Sequence, residues 1–325
     1  MVTGGAGFIG VQLLKKLLSM KLDKIIVIDN LSNMNKTFSC FLNSNSDDKL
    51  SFYKADIRNK KEIFEIIKDE QIDTCIHLAA RVSVPDSINN PDYTIDVNIN
   101  GTFNVLDVCS RTQVRNFVFS SSCAVYGESN KLPLSENDAL MPLSPYGASK
   151  AAGEALVSSY GRTKKIQKAI SLRFFNVYGE NQNPQYAGVI TKFIEELSKG
   201  SAPTIFGDGE QTRDFIHVSD VVDAIISASS AKHELKGADV TRNEGSPLTT
   251  FNVGTGCPTS INELAGKLIK IFGLNLKPIS SNMLAGEIKH CYADTESCRK
   301  FLNFVAKENF DSKLAQMVDN IKHIR

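Results

Sequence analysis

The chain opens on Met1-Val-Thr-Gly-Gly-Ala-Gly-Phe-Ile-Gly10, and this stretch decides the fold. An apolar stub of strand runs through glycines into a helix. Gly5, Gly7 and Gly10 satisfy G-x-G-x-x-G, and Thr3-Gly4 adds the overlapping T-G-x-x-G-x-x-G spacing carried by Gly4, Gly7 and Gly10. One glycine permits the tight turn, another lets backbone N–H groups approach a pyrophosphate, and the last lets helix and strand pack closely. The phosphate then sits at the helix N-terminus, where unpaired N–H groups and the helix dipole favour negative charge. Glycines also mark ordinary turns, so the neighbouring sequence has to carry the reading.

Outward from the loop, Val11, Leu13, Leu14, Leu17 and Leu18 recur with helical spacing. Lys24-Ile-Ile-Val-Ile-Asp29 then reads as a buried strand. Asp29 follows Gly10 by 19 residues, about where such a unit places a carboxylate that accepts from the adenosine ribose hydroxyls. That charge would repel a ribose phosphate, so NAD is favoured over NADP; the other reading is a strand-ending Asp that starts a turn. Strands are expected at 51–56, 75–80, 116–120 and 169–173, with helices at 62–68, 98–109 and 146–160 and polar connections at 31–50 and 81–91. Strands alternating with helices at this spacing mean βαβ units and a parallel sheet. The expected class is therefore α/β: a Rossmann-like doubly wound parallel sheet with a smaller C-terminal substrate-binding α/β lobe. Residues 1–172 form the first domain and 173–325 the second, with 214–231 returning to the first.

Composition removes other classes. The 325 residues carry a net charge of +1, with 42% apolar and 22% charged residues. That balance offers no electrostatic case for nucleic acid or a membrane surface as partner. Seven cysteines form no C-x-x-C pair and read as reduced thiols in the cytoplasm. The five histidines give no clustered spacing for a metal, and none is expected. No apolar run is long enough to span a membrane, and the glycine loop begins too early for a signal peptide.

Ligands in open parallel sheets bind at the carboxyl ends of strands. There Ser120-Ser121-Ser122 ends one strand, and Tyr146 with Lys150 opens the next helix. Residues four apart on a helix face the same way, so the lysine can hold and polarise the tyrosine. A free phenol must fall roughly three pKa units, about 4 kcal/mol, to act as a base near neutrality. One ammonium about 5 Å away supplies on the order of 3 kcal/mol at an effective dielectric near 20. Lys150 is thus expected to depress the phenol most of the way, and Ser122 to hold the substrate oxygen. Tyr160 and Lys164 show the same step, but Tyr146 follows a serine-ended strand and the loop 132–145 at the active edge.

These features together resemble the extended short-chain dehydrogenase/reductase family, in its NAD-dependent epimerase/dehydratase, nucleotide-sugar branch, most closely the UDP-glucose 4-epimerases. Arg173-Phe-Phe-Asn176, Gly207-Asp-Gly-Glu-Gln-Thr-Arg-Asp-Phe-Ile-His217 and Phe251-Asn-Val-Gly-Thr-Gly256 match the branch as well. The resemblance implies Ser122, Tyr146 and Lys150 as catalytic residues. It implies NAD contacts from Gly4, Gly7, Phe8, Ile9, Gly10, Asp29, Asn30, Asp56, Ile57, Leu78, Ala79, Ala80, Asn98, Tyr146, Lys150 and Phe174. UDP-sugar contacts would come from Ser122, Asn176, Val189, Thr204, Phe206, Arg213, Glu287 and Cys291. The implied reaction interconverts UDP-glucose and UDP-galactose at carbon 4 through a transient 4-keto sugar, with NAD kept tightly bound. A homodimer built on the helices at 98–109 and 146–160 is implied too.

One position discriminates between subfamilies, and two others depart from the family pattern. Where dehydratases and decarboxylases of the branch carry acidic residues after the serine run, Cys123-Ala124 stands here, which disfavours loss of water or carbon dioxide. Leu284 replaces an arginine that usually contacts phosphate. Cys291 falls where some epimerases have a bulky tyrosine; a smaller side chain is expected to admit a 2-acetamido group and so UDP-GlcNAc and UDP-GalNAc, the alternative being a merely small buried residue. The other functional readings are a different-carbon epimerase, a dehydratase or dehydrogenase of the same fold, and a non-catalytic NAD sensor. Only Met1 and Val2 precede Thr3, so a chain extended by a few apolar residues is expected to hold NAD better.

Overall fold

Short apolar runs bounded by turns become the strands of one parallel sheet, and the looser second half builds two smaller sheets. The computed structural model describes residues 1–44, 48–183, 188–231, 249–282 and 288–322. Leu284, the expected site residue Glu287 and all of residues 232–248 lie outside the described residues. In chain order the strands are β1 (Val2–Thr3), β2 (Ile25–Asp29), β3 (Leu50–Lys54), β4 (Thr74–His77), β5 (Asn116–Ser122), β6 (Lys168–Phe174), β7 (Asn176–Tyr178), β8 (Thr204–Phe206), β9 (Thr212–His217), β10 (Thr250–Val253), β11 (Pro258–Ser260), β12 (Ile279–Ser281) and β13 (His290–Cys291).

The main sheet runs β10-β6-β5-β4-β1-β2-β3, with every neighbouring pair parallel. Strand order reverses between β1 and β4, which puts the ligand crevice beyond their carboxyl ends. β6 is buried along its whole length and β5 everywhere except Ser122, as expected of strands covered on both faces. The helices Phe8–Leu18 and Val218–Ser230 cover one face with Leu13, Leu14, Leu17, Val221 and Ile225. Thr102–Arg111 and Pro145–Arg162 cover the other with Val105, Leu106 and Val157. A Cβ on Gly153 would lie 2.4 Å from Phe119 Cζ, so this glycine lets the helix that carries Tyr146 lie close on β5.

In the smaller four-stranded sheet, β9 pairs antiparallel with β11 and parallel with β13 and β7; β8 and β12 pair parallel apart from it. Phe193, Ile194, Leu197, Leu264, Leu268 and Leu314 form its core. The chain returns to the main sheet differently from the expectation. The strand in 212–217 belongs to the smaller sheet, the helix Val218–Ser230 packs on the main one, and Thr250–Val253 adds β10 at its edge. The connection at 81–91 also contains a helix, Val84–Asn89, started by Ser83, whose side chain accepts from Asp86 N. Among the described residues no helix is long and apolar enough to cross a membrane, and no group of three or more His, Cys, Asp or Glu is placed to hold a metal ion.

Candidate functional site

The glycine loop turns at the carboxyl end of β1. Gly4 has φ +72, and a Cβ there would lie 2.5 Å from Ala79 N, so this position requires glycine. A Cβ on Gly10 would lie 2.5 Å from Gly4 O, which fixes the helix against the turn. The helix Phe8–Leu18 starts on Gly7 with no side-chain cap and no acidic residue in its first turn. Its terminal N–H groups are therefore offered to an anion. A Cβ on Gly7 would meet only Gly4 O, at 3.3 Å, and would otherwise fill the space in front of those groups. The cradle fits a pyrophosphate. Asp29 closes its far end: Oδ2 accepts from Ala6 N at 3.0 Å and Oδ1 from Leu31 N at 2.7 Å. Burial raises its pKa, against those two backbone bonds.

One cleft of about 820 Å³ takes in Gly4, Gly7, Phe8, Ile9, Gly10, Asp29, Asn30, Ile57, Leu78, Ala79, Ala80 and Phe174 from the cofactor set. From the catalytic and substrate sets it takes in Ser122, Tyr146, Lys150, Asn176, Val189, Thr204, Phe206 and Arg213. Three expected residues do not line it. Asp56 is held by Arg58, with contacts of 3.0 and 2.9 Å, and by Asn30, and this pairing lowers its pKa to about 2. Asn98 is buried, its amide accepting from Arg81 N at 2.7 Å and donating to Arg81 O and Ser149 Oγ at 2.9 Å. It ties the loop after β4 to the helix of Tyr146 from behind the wall. Cys291 is buried among Val125, Tyr126, Leu134 and Phe175.

The reacting groups stand on β5 and on the helix after it. Ser144 caps that helix by accepting from Gly147 N at 3.1 Å, and Pro145 occupies its first turn. A Cβ on Gly147 would lie 2.5 Å from Ala124 O, so glycine after Tyr146 lets the helix start against the turn Cys123–Val125. Lys150 Nζ donates to Ser120 O at 2.7 Å and lies 6.0 Å from the centre of the Tyr146 ring. Tyr160 and Lys164 do not form a second such pair: Lys164 lies past the helix end, at φ +56.

The expected depression of the phenol by Lys150 is not what the geometry gives. Burial pushes the Lys150 ammonium down to about 7, with Glu154 pulling the other way. Burial pushes Tyr146 up to about 12, opposed by a hydrogen bond with Ser122. Desolvation acts on both groups and leaves the lysine only partly charged near neutrality, so it is a weaker partner than a full charge would be.

Behind these groups runs a buried chain of hydroxyls. Thr102 Oγ1 donates to Asn98 O at 2.6 Å, so His77 Nε2 donates to Thr102 Oγ1 at 3.0 Å and Nδ1 accepts from Thr3 Oγ1 at 2.6 Å. That tautomer follows from the network. Burial holds His77 down to about 3, so the ring is neutral at working pH. Sequence reading missed other lining residues: Asn33, Asn35, Arg81, Gln182, Asn183 and Lys192. The asparagines after Asp29 were the available signal, since a polar run directly beyond the ribose carboxylate lies at the crevice.

Comparison with known proteins agrees with this geometry. The family model described as "NAD dependent epimerase/dehydratase family" matches residues 1–244. A Methanocaldococcus jannaschii protein, named provisionally as a UDP-glucose 4-epimerase, is 41% identical over 296 residues, covering 90% of this chain and 89% of its own. The solved UDP-glucose 4-epimerase of Thermotoga maritima with UDP-glucose superposes with a TM-score of 0.88 at 31% identity, covering 99% of this chain and 98% of that one. A UDP-N-acetylglucosamine 4-epimerase from Methanobrevibacter ruminantium, in complex with UDP-N-acetylmuramic acid, gives 0.86 at 32%, covering 100% and 98%. With a glycine cradle at the switch point, a serine, tyrosine and lysine in the same cleft and a match over most of its length, this chain belongs to the NAD-dependent epimerase/dehydratase family.

Proposed function

We propose that the protein interconverts UDP-glucose and UDP-galactose by inverting carbon 4, and that it also accepts UDP-N-acetylhexosamines. The observation that carries the reading is the composition of the cleft around Tyr146. Among the described residues its only lining carboxylates are Asp29 and Glu196. Asp29 belongs to the dinucleotide cradle, and Glu196 accepts from Thr204 N at 3.1 Å. No acid beside Tyr146 supports elimination of water, which leaves oxidation and re-reduction at one carbon. The phenolate of Tyr146 takes the proton of the sugar 4-hydroxyl and gives it back to the 4-keto sugar after the ring has turned over. Ser122 holds that oxygen, and Lys150 steadies the ionised phenol. Bound NAD would supply the acceptor for the hydride that leaves carbon 4 and, once reduced, the donor of the hydride that returns to the other face, and its positively charged oxidised ring would favour the phenolate. Gly4, Gly7, Gly10 and Asp29 would hold it. Arg213 and Lys192, both in the cleft wall, would face the diphosphate.

Acceptance of an acetamido group is supported by the Methanobrevibacter relative and by the small side chain at Cys291. Because Cys291 stands behind the wall, it would act by leaving room for Phe175, which packs against it and lines the cleft. Proton NMR of UDP-galactose incubated with the purified protein tests the main reading. UDP-glucose should form without added reductant, and Tyr146→Phe should lose at least about a hundredfold in rate, the low end of what a positioned acid–base group contributes. The same assay on UDP-N-acetylglucosamine tests the second part. A dead wild-type enzyme, or a Tyr146→Phe variant with near-normal turnover, overturns the assignment.

A further inference from the structure

Two loops far apart in sequence are joined by a clasp of hydrogen bonds at the dinucleotide end of the cleft. The first loop follows β2 and Asp29; the second follows β7. Asn35 Nδ2 donates to Asn181 O at 2.7 Å, and Asn183 Nδ2 donates to Asn33 Oδ1 at 3.0 Å. Asn33, Asn35 and Asn183 all line the cleft. Asn35 is only 4% exposed and its other groups are fixed: its backbone N–H donates to Ala6 O at 2.7 Å, and its Oδ1 accepts from Thr37 N and Oγ1. The glycine cradle, the first loop and the second loop are thus joined in series through one buried amide. Asn181 takes a positive φ of 65, a backbone state asparagine tolerates better than most residues. It presents its carbonyl to Asn35 from there.

We propose that this clasp governs NAD exchange: the cofactor leaves only when the Asn33–Asn183 and Asn35–Asn181 bonds open, and the pair is what retains NAD through a reaction that regenerates it. The physical reason is the position of the bonds. They link lining residues of both halves next to the ribose carboxylate, so opening the cradle for a dinucleotide requires breaking them. Each is a single neutral hydrogen bond, worth roughly two- to tenfold in a rate or equilibrium. Such bonds permit slow exchange and oppose fast loss.

The test is a double-mutant cycle read by NAD release and not by sugar turnover, so it fails or succeeds independently of the proposed reaction. Asn33→Ala, Asn183→Ala and the double variant are loaded with NAD, and dissociation is followed by trapping the released cofactor. Each single change should speed release about three- to tenfold, and the double variant should fall short of the product of the two effects, because both singles lose the same Asn33–Asn183 bond. Asn35→Ser keeps a hydroxyl to accept from Thr37 N but cannot reach Asn181 O, and should speed release as well. Unchanged release in all variants overturns the proposal. So does a double variant in which the two effects multiply, since that result assigns each side chain its own contact with NAD.

Discussion

Tyr146 and Lys150 show how far residue chemistry can be read from spacing alone. The four-residue step and the serine-ended strand were legible, because both follow from helix periodicity and from where parallel strands end. The charge states were not, because they depend on burial that spacing does not reveal. The phenol, raised to about 12, and the ammonium, lowered to about 7, are both held toward their neutral forms by desolvation. The consequence is measurable. Without NAD, Tyr146 should stay protonated through neutral pH, and an ultraviolet difference titration of wild type against Tyr146→Phe should show its phenolate only near pH 12. With NAD bound, the added positive charge should move that signal to lower pH. A phenolate present near pH 7 in the NAD-free protein would contradict this balance. Lys150 also ties stability to pH. Its folded pKa lies below its unfolded value of 10.5, so the unfolded chain binds more protons between pH 7 and 10.5 and this group's contribution rises over that window.

At the scale of elements, the glycines separate positions that packing demands from positions that it does not. Gly10 and Gly153 lie where helices meet the sheet, and a methyl group at Gly10 would fall 2.5 Å from Gly4 O and 2.6 Å from Gly5 Cα. These are backbone atoms that cannot rotate away. Gly266 lies mid-way along the helix Ile261–Phe272 with nothing within 4 Å of a built Cβ. Gly10→Ala should therefore lower the melting temperature and abolish NAD retention, while Gly266→Ala should stabilise by about 0.5–1 kcal/mol, the helix cost of glycine relative to alanine. A thermal melt of both variants decides it; a stabilised Gly10→Ala or a destabilised Gly266→Ala would refute the packing account. The glycine spacing announced the first site in the sequence. Nothing local distinguishes Gly153, whose necessity comes from Phe119 on a strand far away in the chain. The clasp was hidden for the same reason, since Asn35 and Asn181 meet only once the fold has formed.

Across the whole molecule, one buried network joins strands that sequence reading kept apart. Arg173 on β6 forms a two-pronged pair with Glu154 at 2.8 and 2.7 Å and donates to Tyr126 OH at 2.8 Å. Tyr126 donates to Asn252 Oδ1 on β10 at 2.6 Å, so the edge strand is bonded to the helix that carries Lys150. The sequence shows β10 only as part of the motif Phe251-Asn-Val-Gly-Thr-Gly256 and not as a strand, because its partner β6 lies about eighty residues earlier in the chain. The outer face of the same helical layer carries exposed apolar side chains. The inner side of Thr102–Arg111 is filled by Val105, Leu106 and Cys109, whereas Phe103 is 40% and Ile95 is 42% exposed on the side away from the sheet. We propose that this surface and the neighbouring helix Pro145–Arg162 pair with a second copy about a two-fold axis, where one self-complementary patch serves both chains. Light scattering after size exclusion should then give twice the chain mass for the wild type, and Phe103→Asp should give the single-chain mass by replacing an apolar contact with a charge that the contact must desolvate. A monomeric wild type at micromolar concentration, or a Phe103→Asp variant that stays dimeric, would place the apolar side chains outside any interface and leave the helical layer facing solvent.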